Sequence, residues 1–238
     1  MMLRLRTFFA AAWLMAIGGA SPALADYAAA RERFESLPAR LQTSIGLALI
    51  ATGDFEGLIE HGFTRRLYRA VRSFERREGL RADGVLAQDE IDHLAAVADR
   101  FYERLGTRYY THATTGAKLL VPRLLFDEEK TTADGMLFSR GDGMLSLSFV
   151  SFPSDQRSFS ELYATLSSSS AEKQVIYRRR FETHFVATGF FAGRKFYTWM
   201  ARTGGSTTGF TLSWSEQWEE TGRKLSTLLA NSFMADPS

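Results

Sequence analysis

The 238-residue sequence contains no cysteine. That absence excludes disulfide staples, thiol nucleophiles, cysteine-ligated metals and lipid attachment at a cysteine. Histidine is scarce as well. His61, His93, His112 and His184 are the only four, and they lie in separate segments without metal-ligand spacing. Neither His-Glu-x-x-His nor Gly-x-Ser-x-Gly occurs, so the zinc-hydrolase and serine-elbow signatures are missing. A charge excess of one sign is lacking: 29 basic residues stand against 27 acidic ones, a net charge of +2. That balance argues against a chain built for nucleic acid. Past residue 25, no run approaches the ~20 apolar residues that a membrane span needs.

What is present is an ordinary globular mixture, 45% hydrophobic and 24% charged, with enough apolar material for a real core. The first residues stand apart. "MMLRLR" is basic, "TFFAAAWLMAIGGA" is apolar, and Ala23-Leu24-Ala25 is a small-residue cleavage signal. This predicts a signal peptide over residues 1–25, cut before Asp26, without twin arginine. The mature chain is expected to be periplasmic or secreted, with no integral membrane segment after cleavage.

The mature chain changes character near residue 106. Residues 26–105 read as helical, with Leu41, Ile45 and Leu49 at helical spacing and Gly53 as a stop. A second helix is predicted over 64–78, ended by Gly79, and a third from Gln88 through Phe101. Residues 106–238 read as an α+β domain. Strands are predicted within 108–122, 136–152, 174–188, 194–202 and 207–214, and helices over 158–168 and 215–233. The fold class expected is therefore α+β: an N-terminal three-helix module, then an antiparallel sheet packed with helices.

The order of turns in the helical part is informative. Gly53, Phe55 and Gly57 punctuate the first turn, with Glu60, His61, Gly62 and Phe63 following. Ala70, Val71 and Phe74 lie in the second helix, and Gly79, Asp83, Gly84 and Val85 form the last turn. In this order and spacing, residues 33–97 resemble the type 1 peptidoglycan-binding domain. His61, Thr64 and Glu75 depart from the family pattern, which favours Gly, Gly and Gln there. The resemblance implies a three-helix fold that binds peptidoglycan, through its glycan or stem peptides, by the turn residues Phe55, Glu60, His61 and Phe63. Gly53, Gly57, Gly62, Gly79, Asp83 and Gly84 are then turn-forming. Independently of the family, Phe55 and Phe63 can fold back onto a small core, which needs every large side chain it has.

One further feature marks the second helix. Arg65, Arg69, Arg72 and Arg76 line one face, opposite Leu67, Ala70, Val71 and Phe74. Such a stripe is either a solvated face or a set of forks for carboxylates or phosphates. In the second domain, the strand–helix order ending in a long helix with "NSF" resembles photosystem-subunit-like α/β/α sandwiches, and implies the fold class only. No catalytic residue, metal ligand or cofactor is assigned. Glu161, Glu172, Glu182, Glu216, Glu219 and Glu220 are available for glycosidase chemistry, but no surrounding motif singles one out. The sequence thus predicts a non-enzymatic envelope protein that binds peptidoglycan and presents a second surface, to an envelope protein for example. The alternatives are a wall hydrolase with its site in 107–238, or a protein-binding scaffold with a degenerate peptidoglycan-binding fold.

Overall fold

The computed structural model describes residues 22–59 and 62–234, with side chains from Tyr27 onward. Four helices come first: α1 (Pro22–Glu35), α2 (Ala39–Thr52), α3 (Arg65–Arg77) and α4 (Gln88–Arg104). The last three match the helices read from spacing. The expected leader lies mostly outside the described residues, and α1 runs through the expected cleavage position after Ala25. Thr64 caps α3 by accepting from the Leu67 N–H, and Gly53 ends α2 with φ of 85°. Ala30, Phe34, Ile45, Leu49, Val71, Phe74, Ile91 and Leu94 form the helical core.

Strands begin at Thr107. β1 (Thr107–Thr111) and β2 (Lys118–Pro122) form a separate antiparallel hairpin. Then follow β3 (Glu128–Thr132), β4 (Gly135–Ser139), β5 (Leu145–Pro153), α5 (Phe159–Leu166), β6 (Lys173–Arg180), β7 (His184–Phe191), β8 (Arg194–Thr203), β9 (Ser206–Trp214) and α6 (Glu219–Ser232). The seven strands β3 to β9 make one antiparallel sheet in the order β3-β4-β5-β9-β8-β7-β6. The protein is α+β, as expected.

Two strands were illegible as such. β3 reads Glu-Glu-Lys-Thr-Thr and is exposed along its whole length, so it has no apolar alternation to detect. β6 and β7 were read as one strand. The chain instead reverses at Phe181–Thr183, without the Gly, Pro, Asn or Asp that normally announces a turn. Beyond the reversal, Gly189 lies so close to β6 that a β-carbon there would meet the Gln174 carbonyl at 1.9 Å. The register slips between Val175 and Tyr177 at the same place.

Helix α6 joins the two parts. Its Leu225 and Leu229 pack on the sheet with Leu145, Leu147, Phe149 and Leu212, while Leu228 belongs to the helical core. Burying Leu228 is worth about 1.5–3 kcal/mol. Asn231 adds polar bonds: its Nδ2 donates to the Gly57 carbonyl (2.8 Å), and its Oδ1 accepts from the Ile59 N–H (2.6 Å). The opposite sheet face has a smaller cover. Helix α5 seats Phe159 and Leu162 on Phe185 and Met200, with Val150, Phe152, Tyr163 and Leu166 partly buried around them.

Candidate functional site

The residues expected to bind a ligand do not form one site. Phe55 and Phe63 are 4% and 5% exposed and lie within the helical core. Phe63 packs on Phe34 and Tyr27 with ring centres 5.0 and 5.9 Å away. Neither ring offers a face to a sugar. Glu60 and His61 lie outside the described residues. Gly57, Gly62, Gly79 and Gly84 have φ between 72° and 130°. Of these, Gly84 is the most constrained, since a β-carbon would sit 2.2 Å from the Tyr68 ring. Asp83 accepts from the Val85 N–H (2.9 Å), an internal turn bond.

The arginine stripe on α3 is divided in use. The Arg72 Nε donates to the Ala82 carbonyl (2.9 Å), and its guanidinium lies over Tyr68. Arg65 stacks over Tyr27 at 4.5 Å. Arg69 and Arg76 are exposed and have no ion pair among the described residues. Inside the same helix, Glu75 is fully buried. Its Oε2 accepts from the Gly84 N–H (2.9 Å), while Oε1 has no partner. Burial pushes its carboxyl up to about 7, with Asp83 and Glu90 adding to the shift and the Gly84 bond and Arg72 opposing it.

The groups with chemistry are dispersed. His93 bonds Glu78 (2.8 Å), and buried His112 reaches the Asp134 carbonyl (3.1 Å). His184 stacks between Phe181 and Trp199, and burial lowers its pKa. Glu161 caps α5 through Ser158. Glu219 holds Lys195 (2.7 Å) and the Trp214 indole (2.9 Å). A cleft of about 540 Å³ lies between the end of α2 and α6. Glu56 and Arg223 on its wall pair with each other (2.7 Å). Among the described residues, no group of three His, Asp or Glu side chains could hold a metal, and no helix is long and apolar enough to cross a membrane.

A site that sequence reasoning missed gathers at the sheet edge. β6 is the outermost strand beside β7. Its alternation sends Arg178 and Arg180 to the α5 face and Arg179 to the other. Arg178 Nη1 donates to the Ser167 carbonyl (3.1 Å), and Arg180 Nη2 to the Ser160 hydroxyl (3.1 Å). Arg202 of β8 joins them, its Nε donating to the Glu182 carbonyl (3.1 Å). The guanidinium carbons of Arg180 and Arg202 lie 5.3 and 4.3 Å from the centre of the same ring, Phe159. Arg157 sits over Phe152 and Arg179 over Phe181. None of the five is in an ion pair among the described residues. Ile176 and Tyr177 beside them are 64% and 49% exposed. The "YRRR" run was the available signal, but reading β6 and β7 as one strand concealed its position at an edge.

No family model matches the chain, and no curated protein matches it. Among solved structures, the chain is similar to the solution structure of cyanobacterial PsbP (CyanoP) from Synechocystis sp. PCC 6803. The likeness covers 55% of this chain and 92% of that one, at 17% identity and a TM-score of 0.42. The peptidoglycan-binding function expected from the sequence is corrected. The geometry gives the physical reason: Phe55 and Phe63 are core side chains, and Arg65 and Arg72 are engaged within the helical part.

Proposed function

We propose that this chain is an exported docking protein that binds a partner protein of the cell envelope through its C-terminal domain. Its leader is removed after Ala25, and the mature protein works in the periplasm. The three helices of residues 33–97 keep the order of the family they resemble and serve as a brace. They hold α6, and α6 holds the sheet. The single observation that supports the reading is the β6 edge, where exposed Ile176 and Tyr177 adjoin arginines that have no acidic partner among the described residues. Aromatic residues and arginine are enriched in protein interfaces, whereas lysine and carboxylates are depleted. The test is photo-crosslinking in cells that produce the chain naturally, with a photoreactive amino acid placed at Ile176 or, as control, at Arg69. Docking predicts a discrete adduct from position 176 only. Adducts from neither position, or from both equally, would sink the reading. Amino-terminal sequencing of the periplasmic protein should begin at Asp26.

A further inference from the structure

We infer that the corner formed by β6, β8 and the start of α5 is an interface for an acidic protein surface, anchored by Arg180 and Arg202 across Phe159. The inference rests on the docking reading and names the partner's chemistry. Three observations carry it.

The first is charge without internal compensation. Arg178, Arg180 and Arg202 share the α5 face, Arg157 lies over Phe152, Arg179 lies over Phe181 on the other face, and none of the five pairs with a carboxylate of the described residues. Elsewhere in the molecule arginines do find carboxylates: Arg77 takes Asp54, Arg123 takes Glu129, and Arg223 takes Glu56. The nearby Glu161 is held by the Ser158 hydroxyl and N–H, and the Glu182 carbonyl, not its carboxylate, receives Arg202.

The second is pre-organisation. Each anchor guanidinium is tied by one hydrogen bond and rests on a buried ring, 4% exposed in the case of Phe159. Arginine carries five N–H donors, so one bond to the protein leaves a fork for a partner carboxylate. Fixing the fork in advance lowers the entropic cost of binding.

The third is composition. The corner's exposed cations are arginines, the one lysine of β6, Lys173, being tied to the Leu166 carbonyl, and exposed Ile176 and Tyr177 lie alongside. Arginine suits planar, bidentate recognition of carboxylates, whereas an anionic lipid surface is met as readily by lysine point charges. Strand addition by a partner is disfavoured here. The edge is broken by the bulge at Val175–Tyr177 and flanked by charge, two devices that block edge pairing. The partner's side chains, not its backbone, make the contact.

The experiment uses the mature chain and a fluorescein-labelled decaglutamate peptide, read by anisotropy at about 0.15 M salt, where the Debye length is ~8 Å. Binding is expected, and the triple reversal R178E/R180E/R202E should weaken it by about tenfold or more, since three modest contacts become three repulsions. The control R65E/R69E/R76E should stay within about twofold of the parent. The charge-conserving pair R180K/R202K should lose about threefold, because it keeps the charge but not the fork. Equal weakening by the edge and control variants, or none by either, overturns the inference, and full retention by the lysine pair overturns the anchor assignment. Vesicles of phosphatidylglycerol that bind where decaglutamate does not would make the surface a lipid site and overturn it too. Loss of decaglutamate binding altogether, with the crosslink from Ile176 intact, would sink the acidic-partner inference and leave the docking reading standing. Circular dichroism and melting check each variant, and R180Q/R202Q replaces the triple reversal if that does not fold.

Discussion

Two regions of this protein are rich in arginine, and they use it differently. On α3 the arginines are spaced along a helix face, and the protein spends several of them on itself. Arg72 bonds the Ala82 carbonyl, Arg65 covers Tyr27, Arg66 lies over Phe55, and Arg77 pairs with Asp54. At the β6 edge the arginines are consecutive, so they divide between two faces of a sheet with little beyond them. There they are oriented by neutral groups, a hydroxyl and two carbonyls, which leave their charge unneutralised. A tidy stripe is thus weaker evidence of binding than charge that the fold orients but does not neutralise.

The largest expected effect that sharpens the contrast lies on the α3 side. Gly84→Val should destabilise the protein by about 3 kcal/mol, measured by urea unfolding, through a strained φ and overpacking against Tyr68. The φ of 82° and the 2.2 Å approach to that ring are the reasons. A loss under about 0.5 kcal/mol, the range of ordinary surface changes, would mean the turn can relax.

Glu75, beneath the same turn, should give a pH signature of somewhat smaller size. Its folded pKa of about 7 lies above the ordinary 4.5, so the folded state holds the proton more tightly. The stabilisation is complete below about pH 4.5 and is lost as pH rises through 7. Glu75→Gln keeps an acceptor for the Gly84 N–H and removes the ionisation. It should be more stable than the parent at pH 8 by about 2–3 kcal/mol, with little difference at pH 4. Parallel stability curves from pH 4 to 8 would contradict the burial argument.

Next in size is the pair of substitutions that splits the stripe. Arg72→Ala should cost about 1–2 kcal/mol through the lost bond to Ala82 and the lost packing on Tyr68. Arg69→Ala should stay within about 0.5 kcal/mol. Equal costs would return the stripe to a single role. Smallest of all is the stability effect expected at the other region. R178E/R180E/R202E should unfold within about 1 kcal/mol of the parent, because exposed charges at an edge contribute little to folding.

Much of the architecture was legible because its signals are local. Helical spacing of Leu41, Ile45 and Leu49, the Gly53 stop and the alternation along β5 mark their elements without tertiary information. Three things were not legible. β3 has no buried side to alternate. The β6–β7 turn is made by Phe181, Glu182 and Thr183, none of them a turn signal. The edge site depends on that turn, and also on β8 and α5 meeting β6, which sequence spacing cannot report. Arg202 reaches Phe159 across more than forty positions of chain. The Phe55–Phe63 turn shows the converse problem. Its glycines and aromatics mark a local conformation correctly but do not say whether the rings face water or the core, and here they face the core.

The central claim is that the sheet edge, not the α3 stripe, meets the partner. It is tested most directly by photo-crosslinking from Ile176 in cells producing either the parent chain or R178E/R180E/R202E, with Arg69 crosslinked in parallel. The account predicts one adduct from position 176 in the parent, its loss in the reversed edge at equal protein level, and none from position 69. An adduct from 69, or one from 176 that survives the reversal, would contradict it.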